Sequence, residues 1–134
     1  MSPEDNKTVI RRLYDAFNSY NLEAIDEALA ANVVDLLPIE GQAPGVQGFK
    51  ERLTRLRKSF PDLSFTIETI IAEGGTVAER STLRGTHLGT FKGVPPTGKQ
   101  IIGAMMAFNK FADDKVVERG RIINVFGLIR QIQG

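Results

Sequence analysis

The stretch that decides the fold is Arg84–Gln100, "RGTHLGTFKGVPPTGKQ". It carries the only histidine, His87, and four glycines, Gly85, Gly89, Gly93 and Gly98. Two architectures compete for it. A phosphate-binding loop needs a strand, GxxxxGK followed by Ser or Thr, and then a helix. Here Gly93–Lys99 reads "GVPPTGK", and Gln100 follows the lysine. Pro95 and Pro96 remove two backbone N–H donors that such a loop needs. The residues beyond, "IIGAMMAF", have the pattern of a strand. The nucleotide reading fails, and the stretch becomes a rigid connection between two strands, with proline fixing φ and Gly98 free to take a positive φ.

Working backwards, Val77, Glu79, Ser81, Leu83, Gly85 and His87 alternate with Ala78, Arg80, Thr82, Arg84 and Thr86. The second set is nearly all polar and is expected to face out; the first mixes apolar, small and isolated polar groups, as a pocket wall does. Upstream, Leu63, Phe65 and Ile67 begin an earlier strand, and "EGGT" (73–76) is a hairpin turn. Downstream, strands are expected over Ile101–Phe111 and Val116–Val125, joined by "ADDK". On the last strand, parity places Val116, Glu118, Gly120, Ile122 and Asn124 on one face and Val117, Arg119, Arg121 and Ile123 on the other.

The first half reads as helical. Ser2, Pro3 and Asp5 form an N-terminal capping signal, followed by the stripe Val9, Ile10, Leu13, Phe17. Asn21 caps a short second helix with the stripe Leu22, Ile25, Ala28, Leu29. "DLLPIEGQAPGVQG" (35–48) is a loop, and a third helix runs from about Phe49 to Phe60, its outer face basic and solvated. Three helices followed by four sequential strands give an α+β fold with the helices on one face of a curved antiparallel sheet. No linker or repeat divides residues 1–134, so one domain is expected.

Composition narrows the function. Seventeen basic and sixteen acidic residues leave a formal charge of +1, which favours neither nucleic acid nor an anionic membrane. There is no cysteine, so thiol catalysis and thiolate metal sites are excluded. With one histidine and no carboxylates at metal-ligand spacing, no metal site is expected. "MSPEDNKTVIRR" shows no signal peptide and no apolar run is long enough to span a bilayer; a cytoplasmic location is expected.

The segments "LYDAFNSYNLEAIDEALA", "GFKERLTRLRKSFPDLSFTIE", "GTHLGTFKGVPPTGK" and "DDKVVERGRIINVFGLIRQIQG" follow one another over nearly the whole chain. In this they resemble the SnoaL-like polyketide cyclase family of the nuclear transport factor 2-like superfamily. The resemblance implies a cone-shaped curved sheet packed with three N-terminal helices, a deep apolar cavity, a homodimer and no cofactor. It also implies aldol ring closure on a polyketide, or a hydroxylase-like role on similar substrates. The family pattern near the last strand is roughly "GKIVEHWDVID", and its final aspartate acts as general acid/base. This chain has Asn124 at that position and Gly120 at the tryptophan. An amide can donate a hydrogen bond to an oxyanion but cannot take up a proton at useful pH. Members often carry a histidine after the second helix, where this chain has "VVDLLP" (33–38).

The candidate catalytic residues are therefore Asn124, His87 and Arg121. Glu79, Met105, Asn109 and Gly120 are the candidate substrate-binding residues. Asn124 also reads as a strand-end residue that caps backbone groups, His87 as a structural hydrogen bonder, Glu79 as an exposed or salt-bridged strand residue and Arg121 as a surface or dimer-interface salt bridge. Two functions stay open: a cofactor-free enzyme acting on a polycyclic or other apolar carbonyl compound, and a non-catalytic binding protein for a small apolar or aromatic ligand. A dimeric interaction module is the third.

Overall fold

The computed structural model describes residues 2–134. Helix α1 (Pro3–Ser19) starts at a capping box: Ser2 Oγ accepts from Asp5 N–H, and the Asp5 carboxylate accepts from Ser2 N–H. It ends where Tyr20 takes a left-handed φ of 54°. Asn21 caps α2 (Leu22–Ala28), accepting from Ala24 N–H. Helix α3 (Gly45–Ser59) begins four residues earlier than the sequence suggested.

Four strands are those expected: β2 (Ser64–Glu73), β3 (Thr76–Thr86), β4 (Gln100–Ala112) and β5 (Lys115–Ile123). A further strand, β1 (Leu29–Asp35), is not among those the sequence predicts; the pattern puts Leu29 in the second helix and Asp35 at the start of the loop. Leu29 is not the last residue of the α2 stripe; it has extended backbone and opens β1. The sheet order is β1-β5-β4-β3-β2. β1 joins β5 in parallel, so the sheet is mixed, and all other pairs are antiparallel as expected.

The second correction is at the C-terminus. β5 stops at Ile123, and residues 125–133 form helix α4 (Val125–Gln133), capped by Asn124 Oδ1 accepting from Gly127 N–H at 3.0 Å. Leu128 and Ile132 bury its apolar stripe. Where β5 ends, the Gln131 side-chain amide replaces a strand. It accepts from Ile102 N–H at 2.8 Å and donates to Ile102 O at 2.7 Å.

A third difference decides the site. In β5, Val116 pairs with Phe111 but Glu118 pairs with Lys110, so Val117 is an extra residue. Such a bulge flips the side-chain parity beyond it. Val116 is buried, and beyond the bulge Arg119, Arg121 and Ile123 turn inward. Glu118, Ile122 and Asn124 turn outward. The inner face of β3, by contrast, is as read: Val77, Glu79, Ser81, Leu83, Gly85 and His87 are all buried.

The core lies between this face and the helices, built on Ile10, Leu13, Ile25, Leu29, Leu53, Phe60, Leu83 and Leu128. Among the described residues, no helix is long and apolar enough to cross a membrane.

Candidate functional site

Between the helices and the sheet lies a pocket of about 290 Å³. Its walls are rings and aliphatic chains: Phe17 of α1, Phe49, Leu53 and Leu56 of α3, Phe65 of β2, Met105 of β4, and Val125 and Leu128 of α4. The volume suits a small organic molecule. Exposed Arg55 and Lys92 also line it and mark its mouth. Arg52, Arg119 and Arg121 complete the polar lining. Among the described residues, no carboxylate lines the pocket.

Arg119 occupies the inner end, fully buried. Its Nη1 donates to Glu79 Oε2 at 2.8 Å and to Asn109 Oδ1 at 2.6 Å. Asn109 in turn donates to Glu79 Oε1 at 2.6 Å and to Val77 O at 3.1 Å. Tyr14 Oη donates to Glu79 Oε2 at 2.9 Å and lies 3.4 Å from Ser81 Oγ. Glu79 thus receives three bonds while buried among groups that cannot leave. Burial opposes the charge of Arg119, but Glu79 and then Tyr14 outweigh it and raise its pKa. Burial raises that of Tyr14, which stays a neutral donor.

Two residues along the same strand face, Arg121 donates through Nη1 to Asp35 Oδ2 at 3.1 Å. Asp35 stands at the end of β1 and gathers four donors: Arg121, Arg52 Nη1 (3.1 Å), Gln42 Nε2 (2.9 Å) and Leu37 N–H (2.9 Å). Burial raises the Asp35 pKa, and the bonds from Gln42, Leu37 and Arg121 more than reverse this, leaving it below 3.8. Arg121 is pushed down to about 10, first by burial and then by its cationic neighbours Arg119 and Arg52. At neutral pH it is still a cation, its Cζ 4.7 Å from the Phe49 ring centroid. Among the described residues, its other nitrogens have no hydrogen-bond partner.

Of the residues singled out in the sequence, Arg121 and Met105 line the pocket, and Glu79 and Asn109 stand directly behind Arg119. The other three lie elsewhere. Asn124 is exposed and engaged in capping α4, because the bulge at Val117 turned its side outward. Gly120 lies on that outer side too. A Cβ there would stand 3.1 Å from Leu36 Cβ, so Leu36 covers it and its small size enlarges nothing inside. His87 is fully buried, but it faces Phe60 (ring centroids 5.8 Å apart) and Thr97 rather than the pocket. Its Nδ1 accepts from Thr97 N–H at 3.2 Å, which fixes the base of the "PPTG" turn.

The opening stretch is therefore more than a turn. Phe91 and Val94 exchange backbone bonds (3.0 and 2.9 Å) across Lys92 and Gly93, both at positive φ. This small hairpin forms a flap that sets Thr90, Phe91 and Lys92 against the pocket. Ser59 O accepts from Leu88 and Gly89 N–H and holds the flap to the end of α3.

Sequence reading missed Asp35, Tyr14, Arg52 and Arg119 as site residues. For Asp35 a signal existed, since it lies in the stretch after the second helix where relatives often carry a histidine.

Comparison with known proteins identifies the family to which this fold belongs. Residues 7–132 match the SnoaL-like polyketide cyclase family model, and the chain belongs to that family. It is 24% identical to the aklanonic acid methyl ester cyclase DauD of Streptomyces sp. strain C5, over 98% of this chain and 83% of that one. It is 25% identical to the nogalonic acid methyl ester cyclase of Streptomyces nogalater, over 90% and 91%. Among solved structures, IdmH of Streptomyces antibioticus, a candidate polyketide cyclase, matches at 31% identity and a TM-score of 0.86, covering 96% and 99%. AclR of Streptomyces galilaeus, a candidate hydroxylase, matches at 29% and 0.86, covering 98% and 83%. The family pattern "GKIVEHWDVID" contains two aspartates. Laid along "DKVVERGRIIN", the second falls on outward Asn124 and the first on inward Arg121.

Proposed function

We propose that this member of the SnoaL-like family is a cofactor-independent enzyme acting on a polycyclic or other apolar carbonyl compound, as a polyketide cyclase or in a hydroxylase-like role. The observation that carries this reading is Arg121. It is a cation at neutral pH, lines a pocket walled by aromatic rings, and has only one nitrogen engaged, with Asp35. Such a group stabilises an oxygen on which negative charge develops, and it does so strongly where water is scarce.

The chemistry follows from what the pocket holds and lacks. Asp35 is the carboxylate nearest to Arg121, but its four donors and lowered pKa make it a poor proton acceptor. The proton must therefore leave a carbon that is already acidic, such as one between two carbonyls; it passes to water at the pocket mouth, and Arg121 favours its departure by binding the enolate oxygen. The enolate carbon then attacks a second carbonyl, forming the ring C–C bond, and the resulting alkoxide takes a proton back from water. In a hydroxylase-like reaction the enolate carbon reacts instead with molecular oxygen, the second oxygen atom being reduced to water by a separate reductant. Arg119, held by Glu79 and Asn109, orients the far end of the substrate. The cyclases named above act on acid methyl esters by their names, and an ester carbonyl beside a ketone supplies such a carbon.

The test is turnover of 1,3-dicarbonyl polycyclic compounds by the wild type and by Arg121→Met. The loss of one oxyanion donor typically costs roughly 100- to 1,000-fold in rate. An equal rate in the variant would remove Arg121 from the chemistry. Saturable binding without turnover would favour a small-molecule binding protein, a reading that the lack of a carboxylate in the pocket lining also supports.

A further inference from the structure

Arg119 is more than a positioning residue. Both hydrogens of Nη1 are spent, on Glu79 and Asn109. Nε and Nη2 are buried and have no partner among the described residues. These two nitrogens share one edge of the guanidinium plane, the edge that binds a carboxylate through two parallel bonds. Native proteins seldom leave buried donors unmade, and each such case calls for an explanation. Tyr14 and Phe17 stand near the guanidinium, with Cζ 5.9 and 5.8 Å from their ring centroids. The Tyr14 hydroxyl is a polar neighbour that helps to hold the cation, but its hydrogen is given to Glu79 and it makes no hydrogen bond to Nε or Nη2.

Three observations combine. The unpartnered edge belongs to a residue that lines the pocket. The pocket is lined by five cationic side chains (Arg52, Arg55, Lys92, Arg119 and Arg121) and by no carboxylate among the described residues. Only two carboxylates, Glu79 and Asp35, answer them from behind, so the interior keeps an excess of positive charge. We infer that the Nε–Nη2 edge of Arg119 receives a carboxylate, and that the preferred ligand is a free apolar or aromatic carboxylic acid rather than its ester. This rests on the pocket described above but not on turnover.

The probes are 2-naphthoate and methyl 2-naphthoate, titrated calorimetrically into the full chain at pH 7. The acid is expected to bind roughly 10- to 100-fold more tightly than the ester, the range for hydrogen bonds to a charged group. Arg119→Lys keeps a cation for Glu79 but loses the flat edge, and should bring the affinity for the acid down to within about threefold of that for the ester. Should that variant fold poorly, the double variant Glu79→Gln with Arg119→Met removes the buried pair together and should erase the preference as well. Equal affinity for acid and ester in the wild type would overturn the inference, as would binding of neither. A preference that survives both Arg119 variants and disappears in Arg121→Met would overturn it too, by moving the carboxylate to Arg121. Preference for the acid without turnover of any dicarbonyl compound would leave this inference standing and count against the enzymatic reading alone.

Discussion

Asp35 shows how much one side chain carries. Its Oδ2 accepts from Arg52, Gln42 and Arg121, so it fixes α3, the 36–44 loop and β5 relative to one another. Because its folded pKa lies below the ordinary 3.8, its stabilisation is complete above that value and is lost as pH falls through the lower folded one. Asp35→Asn should therefore lower stability by about 1–3 kcal/mol at pH 7, leaving two guanidinium groups facing an amide. The difference from wild type should shrink steadily below pH 3.8. Urea denaturation of both proteins between pH 2 and 7 measures this, and a constant difference across the range would show that the charge of Asp35 is immaterial. The sequence hid this residue for a physical reason. An aspartate ahead of "LLP" and a proline-glycine loop looks like a turn former, and only the parallel pairing of β1 with β5 brings it to Arg121.

At the scale of elements, the legible and illegible parts separate by regularity. β3 was readable because it pairs with β4 without a shift, so alternation alone located Glu79 on the inner face. β5 was not, because the extra residue at Val117 exchanges the two faces midway. Unbroken alternation puts Asn124 and Gly120 toward the pocket; the exchange turns them outward and brings Arg119 in. Helix α4 escaped notice because "INVFGLI" has the β-branched and aromatic content of a strand. Its capping signal, Asn124, reads equally as a catalytic candidate and as a strand-end cap, and the structure shows the cap. The flap rests on a tight approach that a mutation can test. A Cβ on Gly89 would collide with the Lys58 carbonyl oxygen, a backbone atom that cannot swing away. Gly89→Ala should cost about 1–3 kcal/mol, the usual range for overpacking, and should loosen Phe91 over the pocket. Thermal unfolding and proteolysis within 88–99 check it. A variant as stable and as protease-resistant as wild type would show that the flap is not held by α3.

At the scale of the molecule, the sheet has an inner face that builds the pocket and an outer face without a covering layer. On the outer face Ile102, Met106 and Phe108 of β4 and Ile122 of β5 are each more than half exposed. They form one patch, since Met106 pairs with Ile122 and Phe108 with Gly120. Contiguous apolar surface of this kind marks an association site more often than bare protein surface. A net charge of +1 supplies little repulsion against self-association. We propose that a second copy of the chain covers this patch about a twofold axis, which needs only one self-complementary surface. Phe108→Glu places a charge at the centre of the patch without touching the pocket, because residue 108 lies on the opposite face from Met105 and Asn109. Light scattering after size exclusion should then give twice the 14.8 kDa chain mass for the wild type and the single mass for the variant. The 2-naphthoate preference should persist in the monomer, because every residue assigned to the carboxylate comes from one chain. A wild type that runs as a monomer would refute the dimer. A variant that stays dimeric would move the interface off the sheet.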